Sequence, residues 1–249
     1  MSVKTTLLDQ KAIVAVALGL LAYVSAPSSD VAARVASGAA PAPRLGAEGE
    51  RLSGRATVID GDTLAIGNER IRLEGIDAPE AGQTCGRKWV GSWRCGAAAT
   101  AALRRLIGKR SVTCHALGRD KYGRLLGQCS VGDRDINAEM VRQGLAWAFV
   151  RYSARYEAVE AEARRDKVGI WQGEAQPAWA YREQRWQVAE TAAPQGCAIK
   201  GNITEHGHIY HAPWSPWYAK VRIEPEKGER WFCSEAEAAS AGFRPAMGE

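Results

Sequence analysis

ATVIDGDTLAIGNERIRLEGID, residues 56–77, sets Val, Ile and Leu in short alternation with polar residues and breaks the pattern at Asp60-Gly61 and Gly67-Asn68. Alternation with a period of two puts successive side chains on opposite faces of a strand, and Asp-Gly and Gly-Asn are turn formers. Three strands are therefore expected here, within a β pattern that runs to about Arg134. After them, CGAAATAALRRLIGK (residues 95–109) changes to helical spacing, with Ala98, Leu103, Leu106 and Ile107 apolar and Gly108 as a stop. Strands return at Ser111–Ala116 and Leu125–Val131. A helix is expected from Asp135 to near Gly144, and a strongly charged one over Ala154–Lys167, ended by Gly169. The order β-β-β-α-β-β-α-α is that of a small closed barrel with helices packed on it.

The rest of the chain frames this domain. Of its 249 residues, 46% are hydrophobic and 24% charged, a globular balance that excludes collagen-like, low-complexity and wholly disordered chains. Lys and Arg number 33 against 28 Asp and Glu, and the net charge of +5 suits a polyanionic partner without requiring one. No apolar run approaches the roughly 20 residues of a membrane-spanning helix, which excludes a multi-pass membrane protein. Residues 12–26, AIVAVALGLLAYVSA, follow Lys4 and Lys11 and have signal-peptide character. Val24-Ser25-Ala26 offers small residues for cleavage, whereas Pro27 disfavours it. A cleaved signal, a retained membrane anchor and a buried core helix all stay open, with export the leading reading. Residues 1–26 are thus read as signal or anchor, 27–53 as linker, 54–173 as the barrel domain, 174–196 as a Pro-, Gln- and Trp-rich connector, and 197–249 as a small separate module. In that module Ser234-Glu235-Ala236-Glu237 is a capping box that opens a short helix.

Six cysteines, an even number in a chain read as exported, favour disulfides over the alternative of buried thiols. Cys114 and Cys129 lie symmetrically about the turn at Asp120-Lys121-Tyr122-Gly123, so a hairpin would set them opposite each other. Cys85 and Cys95 bracket a Gly/Trp-rich loop, which leaves Cys197 with Cys233. The same module holds His206, His208 and His211, which with free thiolates would suit zinc. His115, on a strand, reads as structural.

Three clusters carry chemistry. Asp60-Gly61-Asp62-Thr63 alone is a hairpin turn. Arg72-Leu73-Glu74-Gly75-Ile76-Asp77-Ala78-Pro79-Glu80 ends a strand with carboxylates, an arginine and a Pro-fixed turn. Such a gathering can hold a hard divalent cation and a phosphate together. Arg72 and Asp77 stand an odd number of residues apart, and a bulge at Gly75 would bring both to one side. Arg119-Asp120-Lys121-Tyr122-Gly123-Arg124 alone is a solvated hairpin tip. In this order and spacing the clusters resemble the thermonuclease family, the staphylococcal-nuclease-like OB-fold phosphodiesterases. Asn137-Ala138-Glu139-Met140-Val141-Arg142-Gln143-Gly144 and Gly169-Ile170-Trp171 add to the likeness, which covers about Gly54 to Gly173.

The resemblance implies an α+β fold, a five-stranded OB-type β-barrel with packed helices, here followed by the small C-terminal module. It implies a Ca2+-dependent nuclease that hydrolyses DNA and RNA, single strands preferred, with little sequence specificity. Calcium would be held by Asp62, Asp77 and the carbonyl of Ala78, where the family commonly has threonine. Glu80 would act on the attacking water, Arg72 and Arg124 would bind the phosphate, and Asp60 would steer the metal site or its water. Lys121 and Tyr122 match positions that contact the nucleotide phosphate, while the positions nearest to the family's base-stacking aromatics read Trp147, Phe149, Val150 and Tyr152, an incomplete match for stacking. A monomeric secreted or periplasmic enzyme is expected, anchored in the membrane if residues 1–26 are retained. The rival readings are a non-catalytic nucleic-acid-binding OB-fold protein and an envelope protein whose C-terminal module binds metal. Trp179, Trp186, Trp214 and Trp217 are read as covering the seam between the modules.

Overall fold

The computed structural model describes residues 49–88 and 91–246, so the segment read as signal or anchor lies outside the described residues. Five strands form the barrel: β1 (Arg51–Val58), β2 (Thr63–Ile66), β3 (Glu69–Leu73), β4 (Ser111–Arg119) and β5 (Leu125–Val131). β1 begins at Arg51, inside the stretch read as linker. β1 pairs antiparallel with β2 and β4, and β2–β3 and β4–β5 are antiparallel too. A parallel β3–β5 pairing, with Ile71 opposite Leu125 and Leu73 opposite Gly127, closes the sheet. Closure leaves the barrel without free strand edges. Inside it Leu64, Ile71, Leu73 and Val112 are at most 1% exposed.

Helix α1 (Cys95–Ile107) packs Ala99, Ala102, Leu103 and Leu106 on this core, the i, i+3, i+4, i+7 stripe of an amphipathic helix. α2 (Ile136–Arg142) is capped by Asp135, whose side chain accepts from the Ala138 amide. The fully buried Asn137 accepts from the Cys129 amide and donates to the carbonyls of Glu74 and Gly127. It thereby ties α2 to β5 and to the turn after β3. α3 (Glu157–Arg165) follows. The residues read as connector then carry a 15-residue helix, α4 (Ala178–Ala192), and beyond it β6 (Ile199–Thr204), β7 (Gly207–His211) and β8 (Arg230–Phe232) form a small sheet covered by α5 (Glu235–Ser240). Ile199, Tyr210, Phe232, Ala238 and Phe243 make the module's own core, and Trp186 of α4 packs against it. Ser234 caps α5 by accepting from the Glu237 amide.

All three expected disulfides are formed: Cys85–Cys95, Cys114–Cys129 and Cys197–Cys233. Cys114 and Cys129 are register partners across β4 and β5. With Cys197 and Cys233 oxidised, the zinc reading loses its thiolates. The histidines of the module also have separate partners: His211 contacts Asn202 at 3.1 Å, His208 packs on Phe243 and His206 sits beside Glu205.

Candidate active site

Backbone pairing fixes the first two clusters. Thr63 of β2 lies opposite Arg72 of β3, and the Leu73 amide donates to the Asp62 carbonyl at 2.8 Å. Asp62 therefore stands beside the strand that carries Arg72. After β3 the chain turns at Gly75, whose φ of 73° is in the left-handed region open to glycine, and the Phe149 amide donates to its carbonyl. The turn lets Asp77 return to the side of Arg72, where pairing of Asp77 with Trp147 holds its backbone. Arg72 then bridges the two aspartates, Nη1 to Asp62 Oδ1 at 2.8 Å and Nη2 to Asp77 Oδ1 at 2.7 Å. Asp62 also accepts from the Thr63 hydroxyl and, at 2.9 Å, from the Ala78 amide. Asp60 accepts from the Asp62 amide, which shapes the turn between β1 and β2.

Glu80 is placed by α1. A Cβ on Gly96 would stand 1.7 Å from the Glu80 carbonyl oxygen, so glycine in the first turn of the helix lets this backbone lie directly on it. The Glu80 amide donates to Gln83 Oε1 at 3.1 Å, and Gln83 Nε2 donates to the Gln176 carbonyl at 2.7 Å. A residue with no motif signal completes the cluster. Arg182 of α4 donates through Nη2 to Asp77 Oδ2 at 2.8 Å, and through Nη1 to Asp77 Oδ1 at 3.0 Å and Glu80 Oε1 at 2.6 Å. The available signal was Pro177 followed by strong helix formers, a helix start; nothing local shows where the arginine points.

Charge in this site is strongly perturbed. Burial pushes Asp62 up from the usual carboxylate range against the pull of Arg72. Burial likewise raises Glu80, to about 8, with Arg182 opposing. Burial works against the charge on Arg72 and Arg182, yet the carboxylates around them outweigh it and hold both firmly protonated. Arg72, Arg182 and Asp77 each have two ion-pair partners, whereas Asp62 and Glu80 each have one, Arg72 and Arg182 respectively.

The third cluster sits at the rim. Asp120 accepts from the amides of Tyr122 and Arg124 and from the Arg124 side chain, so the hairpin tip is locally closed. Lys121 and Arg124 both lie over the Tyr122 ring, at 4.9 and 5.3 Å. Arg124 is thus paired with Asp120 rather than joined to the Asp62–Arg72–Asp77 group. It nevertheless lines one cavity of about 310 Å3 together with Asp60, Glu80 and Tyr122, and the opposite wall, Tyr210, Trp214, Pro216 and Glu235, comes from the C-terminal module. Trp147 is a correction to the stacking expectation: it is 2% exposed, with its ring against Trp171 and Trp179. Tyr152 is 71% exposed. Of the four seam tryptophans, Trp186 and Trp214 meet at 6.3 Å, whereas Trp179 packs on Trp147 and Phe149 of the barrel domain.

Among the described residues no group of three or more His, Cys, Asp or Glu side chains is close enough to hold a metal by itself. Asp62 and Asp77, joined through one guanidinium, offer two hard carboxylates, which is what a site completed by backbone oxygen and water requires.

Comparison of the sequence with known proteins gives the family. A family model described as staphylococcal nuclease homologue matches residues 70–173, and one described as ArfC matches residues 184–245. An uncharacterized endonuclease of Escherichia coli O157:H7 is 35% identical over 51% of this chain and 82% of its own length. The succinoglycan biosynthesis protein ExoI of Rhizobium meliloti (strain 1021) is 34% identical over 55% of this chain and 73% of its own. A micrococcal nuclease of Shigella flexneri is 34% identical over 50% and 76%. With its closed barrel and its paired aspartates around one arginine, the chain belongs to the staphylococcal nuclease homologues.

Proposed function

We propose that the protein is a calcium-dependent nuclease of the thermonuclease type, hydrolysing phosphodiester bonds of DNA and RNA, single strands preferred, with little sequence specificity. The observation that carries this reading is that Asp62, Arg72 and Asp77 form one ion-paired group, which Arg182 joins to Glu80, and that Glu80 lines a cavity with Arg124. Calcium would be held by Asp62, Asp77 and the Ala78 carbonyl, and when bound it supplies charge to polarise the phosphodiester and lower the cost of hydroxide. Glu80 takes the proton of the attacking water as the water oxygen bonds to phosphorus and the bond to the leaving oxygen breaks, and that oxygen takes up a proton from solvent to leave as a hydroxyl. Arg182 at 2.6 Å favours the carboxylate form of Glu80 that a general base requires. Arg72, already fixed by two carboxylates, and Arg124 donate to the phosphoryl oxygens, where negative charge grows. Lys121 and Tyr122 flank the phosphate, and Asp60 orients the turn that carries Asp62. Contacts to phosphate rather than to base edges give cleavage without sequence preference.

Three disulfides in one chain fit an oxidising compartment, so the enzyme is proposed to act as a monomer outside the cytoplasm, secreted or periplasmic, or held at the membrane by its first residues. Incubating the purified protein with single-stranded DNA, with calcium and with a chelator, tests the function. Cleavage confined to the calcium arm is expected. Tight binding with no cleavage in either arm would replace the enzyme with a non-catalytic OB-fold binder.

A further inference from the structure

Arg182 lies between the residues matched by the two family models, 70–173 and 184–245, so neither likeness accounts for it. Its guanidinium is nevertheless held deep in the nuclease cluster, with the side chain 22% exposed. The helix that carries it is fixed to the same structure as its partners. Ala178, one turn before Arg182, is fully buried, and Trp179 stacks on Phe149 with ring centroids 5.5 Å apart. Just before the helix, the Gln176 carbonyl is bound by Gln83, whose side-chain oxygen accepts from the Glu80 amide.

The consequence concerns Asp77. Its Oδ1 accepts from both Arg72 and Arg182, and its Oδ2 accepts from Arg182. Both oxygens are therefore engaged by guanidinium groups. A cation that coordinates Asp77 meets Arg182 at either oxygen, alone on Oδ2 and together with Arg72 on Oδ1, and the repulsion it adds falls on the guanidinium that touches both. Resting on the calcium reading given above, we propose that Arg182 competes with the metal cation for Asp77 and so acts as a positioning residue that sets the cation concentration at which the site assembles. The extension beyond the nuclease domain would in this way tune the domain's cation requirement, releasing the aspartate only where the divalent cation is abundant.

Calcium binding to the full chain, measured by isothermal titration without nucleic acid, tests this directly, alongside the rise in Tm that calcium produces. Arg182→Ala should bind calcium about tenfold more tightly than the wild type, a typical size for coupling between competing ligands. Its Tm should fall in chelator and rise more steeply with calcium. Arg182→Lys, which keeps the charge but loses the two-pronged contact, should fall between the two and carries the test if the alanine variant does not fold. Asp77→Asn separates the two readings. If it loses calcium while the Arg182 variants bind as the wild type does, or more weakly, the competition is overturned and the metal site stands. If Asp77→Asn binds calcium as well as the wild type, or no variant binds it, the metal site itself is misplaced and the proposal falls with it.

Discussion

Arg72 and Arg124 have the same proposed task on phosphate but different surroundings, and substitution should separate them. Arg72 neutralises two buried aspartates, which are 4% and 0% exposed, so Arg72→Ala leaves buried charge with fewer partners. Loss of one partner from such a group costs about 3–5 kcal/mol of stability. Arg124 pairs with Asp120 at a half-open hairpin tip, where such a pair contributes about 0–1 kcal/mol. Both alanine variants should lose about 10²–10³-fold in kcat, the usual effect of deleting a donor to developing charge. Only Arg72→Ala should also lower Tm substantially. Steady-state rates with thermal melts of the two variants check this, and an Arg124→Ala enzyme with normal kcat would remove that residue from the machinery. At this scale the grouping of Asp62, Arg72 and Asp77 was legible, because strand pairing and the Gly75 turn are local, while Glu80 is set by α1 and by Arg182 from further along the chain. Arg182 was not legible, since its contact with Asp77 spans 105 residues and depends on where α4 docks.

That docking is an element-scale matter. The barrel strands and α1 could be read because each has one buried face and so a clean period. α4 faces two ways: Trp179 packs on Phe149 of the barrel domain, while Trp186 meets Trp214 and Arg185 donates to the Pro213 carbonyl of the C-terminal module. With apolar groups on more than one side, no single stripe marks it as a helix. In the β4–β5 hairpin the register at the turn, Arg119 opposite Leu125, would set Cys129 against His115, and a bulge between Ala116 and Gly118 shifts it by one residue so that Cys114 and Cys129 pair. The disulfide there encloses a sequence separation of 15, for which constraint of the unfolded chain predicts about 3 kcal/mol. Replacing both cysteines by alanine should reduce the unfolding free energy by that amount in urea titration, while an unchanged midpoint would show that the bond does not constrain the unfolded chain.

Taken whole, the molecule is less divided than its sequence suggests. The change of composition after Trp171 reads as a boundary, yet the cavity beside Glu80 and Arg124 takes one wall from each side of it. Composition marks where a core ends and carries no information on which surfaces meet, so the shared cavity was not visible in it. The C-terminal module should also give the protein an acid-sensitive edge. Burial holds the His211 imidazole below its usual pKa, with Nε2 against Asn202 and Nδ1 towards Ser215. Its contribution is therefore complete above the unfolded value of about 6.5 and is lost as pH falls through the lower folded value. Melting curves between neutral and acid pH should show a fall in Tm that His211→Gln flattens. A profile identical in wild type and variant would show that His211 does not couple pH to stability. The central claim, that these residues form a hydrolytic site, is tested most directly by the rate at which Glu80→Gln cleaves single-stranded DNA in calcium, with DNA affinity measured in parallel. The account predicts that cleavage falls by about 10²–10⁴-fold, the usual worth of a general base, while affinity stays close to that of the wild type. Cleavage by Glu80→Gln at the wild-type rate would contradict it.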